Sequence, residues 1–316
     1  MTEITITTGA RLHFGLFSHG QTGRREFGGV GAMIDRPGFV VRGARSPADE
    51  LRCGRWQARV EALLARLRGS GVFDPVCLEI IAAPPAHAGL GSGTQLGMAI
   101  AKIMSLLKGE SDAPPAELAR RAGRGLRSAL GLYGFQHGGL LMEAGHCRPG
   151  EISPLVARVE IPDEWRFLLI RPRDAAGISG TDEAGGFARL PPMPFATTDR
   201  LCRIALTEVV PATIEGNYEA ACAGIGEFGR LVGEYFAPVQ GGVLADPRIR
   251  RLEPLLAVRN LRGYGQSSWG PTLFVLCPHP KFAQQLATEL AAAPEAQECE
   301  FTIAAPLNHG ATIASR

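Results

Sequence analysis

The sequence of 316 residues contains no long apolar run, no cysteine pair of the CxxC type and almost no lysine. No apolar run reaches the roughly 20 residues that a membrane helix requires, so we expect no contact with a membrane. The first residues, Met1 to Thr7, lack the basic and apolar regions of a signal peptide. The seven cysteines are dispersed, which argues against a zinc site and predicts reduced thiols and a cytoplasmic protein.

Basic residues are nearly all arginine, because only Lys102, Lys108 and Lys281 are lysines among 33 basic side chains. The formal net charge of +2 gives no reason to expect nucleic-acid binding. Genome composition can explain the bias toward arginine. Planar guanidinium groups also suit a site that binds several phosphate oxygens, so small anionic molecules remain as candidate ligands.

The most informative stretch is a glycine-rich loop between an apolar strand, predicted over 76–83, and an apolar helix, predicted over 96–107. Gly89, Gly91 and Gly93 lie between them. Glycines allow backbone N–H groups to converge, and a helix N-terminus adds positive potential, which is how proteins commonly hold phosphate. The alternative is a structural turn before a core helix.

The order of the remaining patterns predicts an α+β protein. Residues 55–68 carry the apolar spacing of an amphipathic helix. Residues 172–195 are rich in Gly, Pro and Asp and are predicted to be a long loop, which in compact proteins is usually functional or mobile. We place a domain boundary there, which gives domains over 1–172 and 173–316.

Further segments carry specific expectations. Residues 199–235 are predicted to form two helices that break at Pro211, and residues 246–259 a single helix. Residues 124–139 combine two arginines, an amide and several small turn residues, and are predicted to form the wall of a pocket. A second glycine-rich loop, over 262–272, leads into another apolar strand.

Three segments, in this order, resemble the GHMP kinase superfamily, which includes galactokinase and the homoserine and mevalonate kinases. They are Arg11-Leu12-His13-Phe14-Gly15, the loop from Pro85 to Thr94, and the glycine motif from Gly263 to Thr272. The resemblance implies an N-terminal domain like ribosomal protein S5, a ferredoxin-like C-terminal domain, and a site between them.

The chain departs from the kinase pattern at three places. Gly93 stands where the superfamily usually has a serine that helps to hold Mg²⁺. The segment that corresponds to the catalytic aspartate motif offers Phe135 and Gln136 but no carboxylate, and a phenyl ring cannot accept a proton. Arg11 stands where some members use lysine. These departures argue against phosphoryl transfer to an alcohol.

Within the superfamily the chain resembles the β-ribofuranosylaminobenzene 5′-phosphate synthase family of tetrahydromethanopterin biosynthesis. The segments that carry this resemblance are Arg11–Leu16, Phe27–Gly31 with Asp35–Gly38, His137–Gly139, Gly177–Gly180 and Gly265–Thr272. It implies a homodimeric, Mg²⁺-using enzyme that joins phosphoribosyl pyrophosphate to p-aminobenzoate or 4-hydroxybenzoate and releases CO₂ and pyrophosphate. An ATP-dependent small-molecule kinase and a non-catalytic binding protein remain as alternatives.

The resemblance and the chemistry of the side chains together give a set of candidate site residues. The candidate catalytic residues are Arg11, His13, His137 and Gln266. The candidate substrate-binding residues are Gly89, Gly91, Ser92, Gly93, Thr94, Arg36, Arg127, Ser179, Ser267, Ser268 and Trp269. We expect the glycine loop to hold donor phosphate, the arginines to bind pyrophosphate or the aryl carboxylate, and the histidines to bind or protonate the leaving group. Trp269 is a candidate platform for the benzoate ring.

Each assignment has a plainer alternative: a structural turn, a solvated arginine, a structural histidine or a core tryptophan. The metal ligand stays unchosen among Asp35, Glu143, Asp174 and Asp182.

Overall fold

The computed structural model describes residues 3–69, 71, 74–110, 112–175, 177 and 181–315, with the backbone alone at 181–184. The strands in this part of the chain are β1 (Glu3–Thr7), β2 (Ala10–Gly15), β3 (Gly29–Ile34), β4 (Val40–Arg45), β5 (Glu50–Arg52), β6 (Val76–Ala82), β7 (Leu140–Glu143), β8 (Leu155–Val159), β9 (Arg166–Pro172), β10 (Tyr264–Gln266), β11 (Leu273–Cys277), β12 (Cys299–Ala304) and β13 (Thr312–Ser315).

The helices are α1 (Gln57–Gly69), α2 (Ser92–Lys108), α3 (Pro115–Arg121), α4 (Leu130–His137), α5 (Thr181–Arg189), α6 (Phe195–Ile204), α7 (Val210–Glu215), α8 (Tyr218–Gln240), α9 (Pro247–Arg250), α10 (Glu253–Ala257) and α11 (Pro280–Ala291). A π-helical stretch, Ala205–Val209, joins α6 to α7, and short 3₁₀ turns cover Gly54–Trp56 and Pro294–Ala296. In the described part of the chain, no helix has both the length and the apolar character needed to cross a membrane.

The first sheet combines strands from both ends of the chain in the order β13-β1-β4-β6-β5, with a parallel pair only between β5 and β6. Helices α1 and α2 pack against it. Ile6, Val41 and Leu78 from the strands and Leu64 and Ile100 from the helices are all buried in one apolar cluster. The helix α2 is apolar over most of its surface, which explains why it lies buried against the sheet.

The other two sheets are antiparallel, with the orders β2-β3-β7-β8 and β10-β11-β9-β12. A second apolar cluster joins them to α8, and the rings of Phe14 on β2 and Phe274 on β11 lie 5.0 Å apart within it. The opposite face of β9 and β11 packs against α11 in a third cluster. Leu169 and Leu168 belong to different clusters because successive side chains of a strand point to opposite faces.

The α+β class predicted from the sequence is confirmed by this mixture of largely antiparallel sheets and packed helices. Strand β9 pairs with β11 and β12, and β13 pairs with β1. Strands on the N-terminal side of the predicted boundary at residue 172 therefore pair with strands on its C-terminal side. The division into domains over 1–172 and 173–316 stays a prediction.

One expectation about a loop was wrong. The predicted loop over 172–195 contains the helix α5, whose two glycines lower its intrinsic helix propensity. The helix is held by packing, since a Cβ on Gly186 would lie 2.5 Å from the Trp269 ring. The predicted pocket wall over 124–139 contains the helix α4 in its second half, and Arg124 to Ser128 in its first half line a cavity, as predicted.

Two expectations about helices were also wrong. Pro211 does not break its segment, because it occupies the first turn of α7, where its missing N–H costs little. The break comes instead at Gly216, which is left-handed with a φ of 67°, and at Asn217, whose side chain caps α8. The single helix predicted over 246–259 is two short helices, α9 and α10, each with a proline at its start.

Candidate active site

A cavity of about 360 Å³ opens between the N-terminus of α2, strand β2, helix α8 and the glycine motif that precedes β11. Most of the candidate site residues line it together, although they come from distant parts of the chain. These residues are Arg11, His13, Gly89, Gly91, Ser92, Gly93, Thr94, Arg127, Gln266, Ser268 and Trp269. Their roles stay predictions, while their convergence on one cavity is a feature of the structure.

The glycine loop ends at Gly91, which is left-handed with a φ of 69° and precedes the first turn of α2. Gly91 has no side chain that could bond to the first N–H groups of the helix, and no side-chain cap is present. The backbone N–H groups of Ser92 and Gly93 therefore start the helix without the usual cap. Such a helix start at a cavity wall is suited to binding an anion.

The glycine loop from Pro85 to Thr94, which we call the phosphate loop, is crossed by the glycine motif from Gly263 to Thr272. The two backbones are in direct contact. A Cβ on Gly270 would lie 2.3 Å from Gly89 Cα, and a Cβ on Gly89 would lie 2.2 Å from the Ser267 carbonyl oxygen. Ser267 Oγ donates to the Gly89 carbonyl at 2.8 Å, and Thr272 Oγ1 donates to the Ala88 carbonyl at 2.7 Å. Gly89 and Ser267 thus help to fix the position of the loop.

The same motif also holds β2. Ser267 Oγ accepts the His13 N–H at 3.1 Å, and the Ser268 N–H donates to the His13 carbonyl at 3.0 Å. The Gln266 side chain lines the cavity, but its oxygen accepts the Ala245 N–H at 2.6 Å and its nitrogen donates to the Ser268 carbonyl at 2.8 Å. Both ends of the Gln266 amide therefore bond to the backbone around the loop, while its catalytic role stays a prediction.

His13 is nine-tenths buried and faces the cavity. Burial, reinforced by the nearby charge of Arg11, holds the pKa of His13 well below its ordinary value of 6.5. The imidazole is therefore neutral near pH 7. It can donate a neutral N–H to an anion, but it is poorly suited to delivering a proton to a leaving group.

Two arginines outside the predicted set also line the cavity: Arg59 from α1 and Arg124 from the turn before α4. Burial lowers the pKa of Arg59, and burial together with the charges of Arg59 and Arg66 lowers the pKa of Arg124 to about 10. The sequence carried a signal for each of them. Arg124 begins the segment over 124–139 that is predicted to form the wall of a pocket. Arg59 and Arg66 are seven residues apart on a predicted helix and therefore share a face.

The cavity lining also contains an aromatic group, made of Phe27, Phe187, Phe236 and Trp269. The ring of Phe187 stacks on Trp269 with centroids 4.6 Å apart, and Phe236 meets the Trp269 ring edge-on at 4.9 Å. The guanidinium carbon of Arg127 lies 5.9 Å from the centroid of Phe187. Because Trp269 is buried behind Phe187, the ring more accessible to a ligand belongs to Phe187.

Four candidate residues do not line the cavity. Arg36 is exposed and pairs with Asp35 at 2.9 Å, and His137 is exposed at the end of α4. Ser267 is fully buried within the C-terminal motif. Ser179 lies outside the described residues.

The candidate metal ligands lie outside the cavity or outside the described side chains. Among the described residues that line the cavity, none is an aspartate or a glutamate. The Asp35 carboxylate accepts the Ala305 N–H at 2.8 Å and pairs with Arg36. Asp174 is exposed in a turn, and the side chain of Asp182 lies outside the described residues.

The remaining candidate, Glu143, is fully buried, and its carboxylate is already hydrogen-bonded within the protein. Its carboxylate accepts hydrogen bonds from Ser128 Oγ at 2.6 Å and from the Ala129 N–H at 2.7 Å. Burial raises the pKa of Glu143, while these two hydrogen bonds oppose the rise. Within the described part of the chain no group of three or more His, Cys, Asp or Glu side chains could hold a metal ion. These residues therefore do not fit a protein-ligated Mg²⁺, since that ion is usually held through carboxylates together with substrate phosphates.

Comparison with solved structures identifies the fold. Mevalonate diphosphate decarboxylase from Staphylococcus aureus has a TM-score of 0.69 at 12% identity, with 99% of this chain and 98% of that chain covered. Homoserine kinase from Cytophaga hutchinsonii has a TM-score of 0.66 at 14% identity, with 99% and 97% covered. A structure described as MDDEF in complex with MVAPP, AMPPCP and magnesium has a TM-score of 0.68 at 16% identity, with both chains fully covered. The GHMP-kinase fold predicted from the sequence is thus confirmed, and a protein of this fold binds magnesium together with AMPPCP.

Comparison with family models gave no match. Comparison with curated proteins gave clear matches. The chain is 31% identical over 296 residues to β-ribofuranosylphenol 5′-phosphate synthase from Methanothermobacter thermautotrophicus, with 86% of this chain and 88% of the relative covered. It is 26% identical over 304 residues to the protein of the same name from Methanocaldococcus jannaschii, with 85% and 88% covered. The chain therefore belongs to the β-ribofuranosylphenol 5′-phosphate synthase family, a family of enzymes, built here on the GHMP-kinase fold.

Proposed function

We propose that the protein transfers the ribosyl 5-phosphate group of phosphoribosyl pyrophosphate to 4-hydroxybenzoate, with release of pyrophosphate and CO₂. The observation that carries the proposal is a single cavity with an arginine-rich half at the start of α2 and an aromatic half beside α5. The relatives are named for a ribosylphenol product, and a phenol requires an acceptor that carries a hydroxyl group. This favours 4-hydroxybenzoate over p-aminobenzoate.

In the proposed reaction, the bonds broken and formed balance without a base, because no proton is removed from the attacking carbon. The bond between the anomeric carbon and the pyrophosphate oxygen breaks, and its electron pair leaves on the pyrophosphate. The ring carbon that bears the carboxylate donates a π electron pair to the anomeric carbon and forms the new C–C bond. The bond to the carboxylate carbon then breaks, CO₂ departs, and its electron pair restores the aromatic ring. The absence of a carboxylate base in the kinase position is compatible with this chemistry.

The cationic half of the cavity supplies what the first step needs. Charge develops on the departing pyrophosphate, and fixed donors aimed at that charge lower the barrier. The backbone N–H groups of Ser92 and Gly93 start α2 at the cavity wall, and Arg11 lies against the same loop, since a Cβ on Gly91 would be 3.1 Å from Arg11 Cβ. The neutral imidazole of His13 is available as a further hydrogen-bond donor.

The aromatic half suits the acceptor. A benzoate ring stacked on Phe187 would gain the contact that aromatic pairs favour. The Arg127 guanidinium already lies near that ring, at 5.9 Å from its centroid. We assign Arg127 to the carboxylate of the acceptor, with Phe187 as the platform and Trp269 as the ring that supports Phe187 from behind.

The kinase alternative lacks a base in the cavity. Phe135 is buried in the core around α2, and Gln136 is exposed outside the cavity lining. No described aspartate or glutamate lines the cavity to accept a proton from an alcohol. The non-catalytic alternative is disfavoured because both relatives are named as synthases.

Three further features are part of the proposal. A homodimer and a place in tetrahydromethanopterin biosynthesis rest on the family resemblance alone, and a cytoplasmic location rests on the dispersed cysteines. Use of Mg²⁺ also stays a prediction. The described cavity residues offer no carboxylate for it, and no step above depends on the ion.

The test is an incubation of the purified protein with phosphoribosyl pyrophosphate and carboxyl-labelled 4-hydroxybenzoate. We expect labelled CO₂ and pyrophosphate in equal amounts, only when both substrates are present, and a lower rate with p-aminobenzoate. Folded protein that releases neither product, or that instead consumes ATP with an alcohol acceptor, would overturn the proposal.

A further inference from the structure

We propose that Arg59 and Arg124 bind the pyrophosphate group of the donor over the first turn of α2, and that they neutralise it without a metal ion held by the protein. This inference rests on the proposed function, which it deepens by naming residues for the leaving group. Both arginines lie outside every segment that carries the family resemblance.

The first observation concerns the space above Gly93. A Cβ placed on Gly93 would lie 2.4 Å from Arg59 Nη2 and 3.4 Å from Arg124 Nη1. The two guanidinium groups therefore occupy the position where a serine at residue 93 would project. The lack of a side chain at Gly93 makes room for the two arginines. Two cations thus lie where the superfamily usually has a metal-binding hydroxyl.

The second observation concerns the groove that holds Arg124. Gly93 and Gly97 are four residues apart and lie on the same face of α2. A Cβ on Gly97 would lie 3.2 Å from Arg124 Cγ and 3.4 Å from Arg124 Nε, so the side chain runs along a helix face cleared by two glycines. Arg124 Nε is buried and has no hydrogen-bond partner among the described residues.

The third observation is the lack of compensating charge. Neither Arg59 nor Arg124 forms an ion pair with a carboxylate among the described residues, and the charges that act on Arg124 are those of Arg59 and Arg66. A Cβ on Gly123 would lie 2.5 Å from the Arg66 guanidinium carbon, which places a third cation behind the pair. Burial, and after it the charges of Arg59 and Arg66, lower the pKa of Arg124, and a bound anion would offset both effects.

The chemistry of pyrophosphate matches this arrangement. When the anomeric C–O bond breaks, the electron pair remains on the pyrophosphate oxygen, and the group departs with its full negative charge. Guanidinium forks bind phosphate oxygens in pairs, and they do so with charge-assisted hydrogen bonds. The N–H groups of Ser92 and Gly93 at the start of α2 add donors from the protein backbone.

The experiment is calorimetric titration of the full-length protein with inorganic pyrophosphate in the presence of excess EDTA. We expect the wild type to bind, and Arg59→Gln and Arg124→Gln each to weaken binding by about tenfold or more, as the loss of charge-assisted hydrogen bonds predicts. Arg55→Gln is the matched control, because Arg55 is exposed next to α1 and does not line the cavity. It should bind pyrophosphate as the wild type does.

A second variant keeps the test independent of folding defects at buried arginines. Gly93→Ser should displace Arg59 and weaken pyrophosphate binding in EDTA while thermal unfolding shows an intact fold. In steady-state assays the arginine variants should raise the KM for phosphoribosyl pyrophosphate and leave the KM for the benzoate nearly unchanged.

The outcomes separate the two proposals. Pyrophosphate binding that requires Mg²⁺, or that is unaffected by Arg59→Gln, Arg124→Gln and Gly93→Ser, overturns this inference even if the enzyme releases CO₂. Binding in EDTA that depends on the two arginines, in a protein that never releases CO₂, supports the pyrophosphate site and overturns only the proposed reaction.

Discussion

Gly89 and Gly270 touch backbone to backbone, and neither position has room for a Cβ atom. Gly270 has no left-handed strain, so Gly270→Ala isolates the steric effect: its Cβ would lie 2.3 Å from Gly89 Cα. We expect the substitution to lower the free energy of unfolding by roughly 2–3 kcal/mol and to reduce activity by moving the phosphate loop. Urea denaturation gives the first quantity. Gly69→Ala is the control: no atom lies within 4 Å of its Cβ, and alanine has the higher helix propensity at the end of α1, so this substitution should not lower stability. An equal loss of stability at the two sites would contradict the prediction.

Ser267→Ala removes a hydroxyl that serves two backbone groups at once. The Gly89 carbonyl would lose its donor and the His13 N–H its acceptor, both in a buried place. We expect a loss of about 1–3 kcal/mol of stability in urea denaturation. Ser46→Ala is the control and should be nearly neutral, because the hydroxyl of this half-buried residue makes a solvent-exposed hydrogen bond of 3.4 Å to Glu50. A Ser267→Ala protein as stable as wild type would show that the motif is held by packing alone.

Phe187→Ala tests the acceptor half of the cavity. Loss of the ring should raise the KM for 4-hydroxybenzoate by about tenfold, as expected for a lost aromatic contact with its buried area, and should leave the KM for phosphoribosyl pyrophosphate within about twofold. Phe187→Tyr should retain most of the affinity for the benzoate. Phe195→Ala removes an exposed phenylalanine outside this cavity and is the control. A change confined to the donor KM would place the benzoate elsewhere.

The buried His13 predicts a specific dependence of stability on pH. Its pKa in the folded protein lies well below the ordinary 6.5. As the pH falls below about 6.5, the histidine is therefore protonated in the unfolded chain while it is still neutral in the folded protein. The stabilisation is therefore complete above about pH 6.5 and is lost as the pH falls below that value. Between about pH 7.5 and about pH 5.5 we expect the wild type to lose about 1 kcal/mol more than His13→Gln in urea denaturation. Parallel pH curves for the two proteins would contradict a neutral buried His13.

The phosphate loop and its partner motif could be predicted because their signals are local. Glycines at Gly89, Gly91 and Gly93 between a strand and an apolar helix are visible in a short window of sequence, and the strand-to-helix order is reproduced. The reason for Gly89 could not be predicted, since its close neighbour Gly270 is brought to it only by the tertiary fold.

The parts of the site that sequence reasoning missed have physical explanations. Arg59 lies on an amphipathic helix, where an arginine beside the apolar face is ordinarily solvated. Phe187 belongs to a helix whose two glycines resemble a loop. His137 was singled out with the two glycines that follow it, but those glycines serve backbone packing: a Cβ on Gly138 would lie 2.3 Å from the carbonyl oxygens of Leu307 and His309.

The crossing of the two glycine motifs limits how this protein can be recombined. A phosphate loop grafted onto another scaffold would arrive without Ser267, Gly270 and Thr272, which hold its carbonyl groups from the far end of the chain. A chimaera that joins the first half of one relative to the second half of another must therefore carry a compatible pair at both motifs. The phosphate loop and the C-terminal glycine motif are therefore a matched pair. Exchange of sequence between relatives should give a folded protein only where both segments come from the same relative.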